Sequence, residues 1–172
     1  MSNNFDFQSK QSDRITINIH PKADFREVLQ TLESIRFPDF VTNAENIKYA
    51  VLELINNSLR AHREKQVDKN VITEFRSNDS KLEMEVKDFG GGFDPRQLPY
   101  PLDAPTETID QMSKEFEQYQ KQHNYLRFGM GLLITKKTFS HFRVIFFDEE
   151  EKPVQWGQGM VIGTLVRGST TG

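Results

Sequence analysis

The sequence predicts an α+β protein, a two-layer sandwich with helices on one face of a mixed, mostly antiparallel sheet. Two observations carry this. Period-two alternation and apolar steps of three and four occur in the order strand, helix, helix, strands, loop, helix, two strands. Strands thus cluster with strands and helices with helices, which is the pattern of helices layered on a sheet rather than of repeated βαβ units.

Each element has its own local signal. Residues 1–13 are polar and read as a loose arm ahead of a single domain spanning 14–172. Arg14 to His20 alternates, with Ile15, Ile17 and Ile19 on one face, until Pro21 ends the strand. Asp24 can cap a helix bearing Phe25, Val28, Leu29, Leu32 and Ile35, and Pro38 closes that segment. Thr42 or Asn43 opens a second helix whose apolar face runs Ile47, Ala50, Val51, Leu54, Ile55, Ser58 and Leu59; it is expected to fray over Arg60 to Asn70. Val71 to Arg76 and Lys81 to Lys87 are strands joined by the turn residues Ser77-Asn78-Asp79-Ser80. Four prolines between Asp94 and Pro105 mark a loop. Glu107 to His123 then places Ile109, Met112, Phe116 and Tyr119 on one side of a short amphipathic helix. Gly129 to Gly131 start a further helix, Leu132 to Ser140. A hairpin closes the chain, from Phe142–Phe147 through the acidic tip Asp148–Glu151 to Met160–Arg167.

Composition mainly excludes. At 172 residues the chain is long enough for one well-buried core. Fourteen phenylalanines suggest that Phe is its large filler. A net charge of −3 gives no bulk attraction to nucleic acid or anionic lipid, so no direct nucleic-acid partner is expected. The absence of cysteine rules out disulfides, Cys-zinc sites and thiol catalysis. No signal-like segment opens the sequence and no apolar run approaches the ~18 residues of a membrane span, so a cytoplasmic location without membrane attachment is expected.

Four short pieces can carry chemistry. Glu53 and Asn57 lie four apart on the second helix, hence on one face. A carboxamide oxygen suits Mg²⁺, and a carboxylate beside it can accept a proton from an attacking hydroxyl. Asp88-Phe89-Gly90-Gly91-Gly92 follows a strand, where an acid can accept from an exocyclic amine and glycines allow close approach of backbone to a ligand. Phe128-Gly129-Met130-Gly131-Leu132 opens a helix, whose N-terminal amides favour phosphate. Gly163-Thr164 sits in the last strand. Each piece alone reads equally as ordinary structure: a polar helix edge, a turn, a tight helix entry, a β-prone Thr. Neither glycine box is a P-loop or a Rossmann fingerprint.

Their order resembles the Bergerat (GHKL) ATP-binding superfamily, over roughly Ile15 to Val166. Within it the chain is most similar to the bacterial anti-sigma factor serine/threonine kinases, through Gly90-Gly91-Gly92-Phe93-Asp94-Pro95 and the Gly-Met-Gly box, and next to the catalytic domains of histidine kinases. The resemblance implies ATP and Mg²⁺ as ligands, with Asn57 holding Mg²⁺ and Glu53 as general base. It implies nucleotide contacts from Asp88, Gly90, Gly92 and Thr164 on the adenine side, and from Gly129, Met130, Gly131 and Leu132 around the phosphates. Residues of about 94–128 would form a lid insertion; its stretch Leu102 to Arg127 is longer than expected for the small anti-sigma kinases, and its helical stripe fits a lid over ATP, a surface that docks a partner or a small helix patching the core. His62 reads as a solvated or packed helix-end His rather than a catalytic one. Arg127, Lys136 and Lys137 flank the second glycine box and could neutralise phosphate, although the two lysines also fit a solvated helix face.

The implied activity is transfer of the γ-phosphoryl group of Mg-ATP to Ser or Thr of an antagonist protein, by a regulator that also holds a sigma factor. Two alternatives stay open: a stand-alone histidine-kinase-type domain acting in trans, and an ATP-gated binding module without transfer. None of His20, His62, His123 and His141 lies in a long dimerisation hairpin. A homodimer is a further expectation, with Arg14 to His20 as candidate edge.

Overall fold

The structure, a computed structural model, describes residues 5–10, 14–98, 100–102, 114, 117–118, 121 and 128–171. Its strands are β1 (Phe5–Lys10), β2 (Arg14–Ile19), β3 (Val71–Ser77), β4 (Lys81–Asp88), β5 (His141–Phe147) and β6 (Gly163–Thr171). Its helices are α1 (Phe25–Glu33), α2 (Ala44–Glu64) and α3 (Phe128–Thr138), with a 3₁₀ turn at Pro95–Gln97. The strands form one sheet in the order β1-β2-β3-β4-β6-β5, and every pair among the described strands is antiparallel.

Register explains the two layers. Ile17, Thr73, Val86, Val166 and Val144 stand in one row across β2, β3, β4, β6 and β5. Because side chains alternate along a strand, this row and its neighbours two residues away share the face that α2 covers. Ile47, Val51, Ile55 and Leu59 of α2 bury against that face with Val28 and Leu32 of α1. The opposite face carries charge: Glu85 accepts from Arg76 at 2.9 Å and from Arg167 at 2.8 Å.

Local signals act as expected at several ends. Asp24 accepts from the Glu27 amide at 2.8 Å and caps α1. The Asn78 side chain accepts from the amides of Ser80 and Lys81, closing the β3–β4 turn. Asn43 begins α2 but makes no side-chain cap; its amide instead donates to the Thr138 carbonyl at the end of α3.

Four expectations are corrected. Residues 5–10, read as arm, pair with β2 as an outer strand. β2 is therefore covered on both sides, and Arg14 to His20 is not a free edge for a second copy. α2 does not fray at Arg60 but runs to Glu64, where Arg63 donates to the carbonyls of Pro21 and Ala23 and ties the helix end to the turn before α1. Finally, the centre is filled by aliphatic residues such as Ile17, Ile47, Ile55 and Leu82, not chiefly by Phe. Phenylalanines gather instead at the C-terminal end of β4 and beside β5, where Phe89 packs on Phe147 and Phe93 on Phe146 with centroids 5.5 and 5.2 Å apart.

Of the helix expected over 107–123, Lys114, Glu117, Gln118 and Lys121 are helical. Its apolar stripe of Ile109, Met112, Phe116 and Tyr119, together with Arg127, lies outside the described residues.

Candidate functional site

The alternation that buries Leu82, Met84 and Val86 continues to Asp88, so this last residue of β4 points to the helix side of the sheet. There it meets α2. Ser58 Oγ donates to Asp88 Oδ2 at 2.7 Å, and the Gly90 amide donates to Oδ1 at 2.9 Å. Burial pushes the Asp88 carboxyl above its ordinary value, opposed by the Gly90 and Ser58 hydrogen bonds. Thr164 of β6 lies opposite Asp88 in register and is 4% exposed.

A cleft of about 450 Å³, open solvent included, lies over these residues. Leu54, Phe93, Leu132 and Val166 give it apolar walls, while Asn57, Ser58, Asp88 and Thr164 supply polar groups. Such a surface can hold a flat, partly polar ring by burial and fix its orientation by hydrogen bonds.

Of the residues singled out in the sequence, the cleft gathers Asn57, Asp88, Gly90, Gly92, Leu132 and Thr164. Gly92 has φ +71°, a conformation that favours glycine, and a Cβ there would stand 2.8 Å from Val161. Glu53 and Gly131 lie beside the cleft, where α2 and α3 touch. A Cβ on Gly131 would be 2.9 Å from Asn57 Nδ2 and 3.6 Å from Glu53 Cβ. Glu53 is 9% exposed. Gly129, Met130 and Gly131 belong to the first turn of α3 rather than to a loop before it. The first four amides of a helix have no intrahelical acceptor, so this turn retains donor capacity at its end.

Sequence reasoning missed Ser58 as a polar contributor, counting it with the apolar face. A hydroxyl within a buried stripe was the available signal, since buried polar groups need partners. Lys136 is not placed as a solvated phosphate neighbour: its ammonium donates to the Leu102 carbonyl at 2.6 Å. Lys137 is exposed.

Among the described residues no group of three or more His, Asp or Glu side chains could cage a metal. The donor set nevertheless suits Mg²⁺ carried on a nucleotide. That ion takes one or two protein oxygens and completes its shell with phosphate and water, and a carboxamide oxygen such as that of Asn57 is a donor of the right kind.

A family model for the histidine kinase-like ATPase domain matches residues 22–154. The chain belongs to that family and, with it, to the GHKL superfamily, whose ATPase domains bind ATP, usually with Mg²⁺. The matched span contains Glu53, Asn57, Asp88 and both glycine boxes, and ends before β6 and Thr164. Among curated proteins none matches the chain significantly. No helix among the described residues is long and apolar enough to cross a membrane.

Proposed function

We propose that the chain is a cytoplasmic protein kinase of the anti-sigma type, transferring the γ-phosphoryl group of Mg-ATP to Ser or Thr of an antagonist partner. The observation that favours it is the single cleft lined by Asp88, Thr164 and Asn57, with Glu53 one helical turn from Asn57. Adenine would enter between Leu54, Phe93 and Val166, its amine donating to Asp88. Gly90 and Gly92 shape the wall behind it. The first turn of α3, from Gly129 through Met130 and Gly131 to Leu132, faces the phosphates.

Asn57 would hold Mg²⁺, which neutralises triphosphate charge as it shifts to the leaving group. The hydroxyl oxygen of the acceptor bonds to the γ-phosphorus while the bond from that phosphorus to the β–γ bridging oxygen breaks. Glu53 takes the hydroxyl proton, and ADP departs. No basic surface is required, because backbone amides and Mg²⁺ balance the phosphates.

The test is incubation of the intact chain with γ-labelled Mg-ATP and the protein that co-purifies with it. Acid-stable label on that protein is expected. Acid-labile label would replace this reading with histidine transfer in trans. Tight ATP binding without any transferred label would leave an ATP-gated binding module.

A further inference from the structure

One buried polar side chain of α2 lies outside the chemistry above. His62 is one turn beyond Ser58 and is 0% exposed. Its Nε2 lies 2.8 Å from the Phe89 amide, and its Nδ1 lies 2.9 Å from the Lys69 carbonyl. A backbone N–H can only donate, so Nε2 is the acceptor nitrogen. Nδ1 then carries the hydrogen and donates to Lys69. Both ring nitrogens are occupied, by partners from two different loops.

The amide that His62 holds belongs to the peptide joining Asp88 to Phe89. The carbonyl of that same peptide lies against Gly163, where a Cβ would collide with it. The next residue, Gly90, returns its own amide to Asp88 Oδ1 and packs on α2, a Cβ there standing 2.7 Å from Ala61 Cβ. The peptide plane after Asp88 is thus gripped from two sides. Turning it would shift the chain that follows, draw the Gly90 amide off Asp88 Oδ1 and free the carboxylate to leave its line with Ser58 and the cleft.

We propose that His62 is a positioning residue for base selection. It sets the Asp88–Phe89 peptide plane and so aims the Asp88 carboxylate at the exocyclic amine of the base, favouring adenine over a base with a carbonyl there. This rests on the assignment of Asp88 as the adenine acceptor. The role differs from core packing, for which a nonpolar side chain of similar volume would serve.

The test compares the affinities of the full chain for Mg-ATP and Mg-ITP, which places a carbonyl oxygen where ATP has its amine. Wild type, His62→Gln and His62→Leu are titrated, with thermal melting alongside. Glutamine can supply one acceptor and one donor; leucine supplies neither. Wild type is expected to favour ATP by about tenfold or more, as a buried acceptor facing the wrong group costs that much. His62→Gln should keep most of this ratio, and His62→Leu should bring it close to one chiefly by weakening ATP. A uniform loss of stability lowers both affinities and cancels in the ratio. Should His62→Leu not fold, His62→Asn, too short to reach both Phe89 and Lys69, is expected to reduce the ratio in its place. A full ratio in a folded His62→Leu or His62→Asn protein overturns the positioning role while leaving the Asp88 assignment intact. A wild type that binds ATP and ITP equally overturns the Asp88 assignment and the role of His62 with it.

Discussion

Gly131 of α3 rests on Asn57 of α2, so close that a Cβ on the glycine would stand 2.9 Å from Asn57 Nδ2. The contact joins the second glycine box to the amide proposed to hold Mg²⁺. In Gly131→Ala a helix gains a better former, worth about 1 kcal/mol, while the Asn57 amide must give way. The two effects on stability oppose, so the melting temperature should move by no more than ~4 °C, the shift that 1 kcal/mol gives in a domain of this size. Nucleotide binding has no such offset. Mg²⁺-dependent ATP affinity is expected to fall about tenfold or more, the effect of losing one charge-assisted contact. Titration with and without Mg²⁺, beside a melting curve, checks both halves.

Glu53 and Asn57 share a helix face but are assigned different steps, and variants should separate them. Asn57→Ala removes the amide oxygen and should abolish the Mg²⁺ dependence of ATP binding. Glu53→Gln keeps size and hydrogen-bonding capacity while removing the base. It should bind ATP close to wild type and lose transfer by about 10²-fold or more, the range of a positioned general base. Binding unaltered in Asn57→Ala would place the metal elsewhere; undiminished transfer in Glu53→Gln would remove the base from its role.

How far the sequence shows this site depends on the range of each signal. The buried face of α2 was legible because Ile47, Val51, Leu54 and Ile55 repeat with the helix, and Asp88 because it stands at a strand end just before the glycines Gly90 to Gly92. Contacts across the chain left no such trace. Nothing periodic links Ser58 to Asp88 or His62 to Phe89, since each bond joins a helix to a strand end. The strand at residues 5–10 was obscured for a related reason: its partner row in β2 supplies the pairing, while its own composition is mostly polar. The Phe residues misled because, apart from Phe75 and Phe139 in the core, those described gather largely at the end of β4 and near β5.

Asp88 also makes a prediction about pH. Burial raises its carboxyl pKa in the folded chain, and hydrogen bonds from Gly90 and Ser58 offset only part of that. From about pH 4, the ordinary aspartate value, up to the raised folded value, the folded chain therefore holds more protons than the unfolded chain. Stability contributed by this residue falls as pH rises through that window, and the cost is complete above it. Asp88→Asn removes the titration. The apo variant should melt above wild type at pH 7, with the difference closing as pH approaches 4. Its preference for ATP over ITP should be lost at every pH. Melting curves from pH 4.5 to 8 test the sign; a difference that widens in acid would contradict it.

Thr73 offers a stability test away from the cleft. It stands on the helix side of β3, flanked in register by Ile17 and Val86, and is 0% exposed. Its Oγ1 is the buried side-chain polar atom among the described residues with no hydrogen-bond partner. A hydroxyl removed from water without a partner costs roughly 1–3 kcal/mol. Valine has nearly the same shape and an equal preference for strands, and it replaces that hydroxyl with a methyl group suited to its neighbours. Thr73→Val should therefore stabilise the chain by about 1 kcal/mol, raising the melting temperature by ~2–4 °C. Because Thr73 does not line the cleft, ATP affinity should stay at the wild-type value. An unchanged or lower melting temperature would mean that the hydroxyl is satisfied in solution, by a water held between β3 and α2.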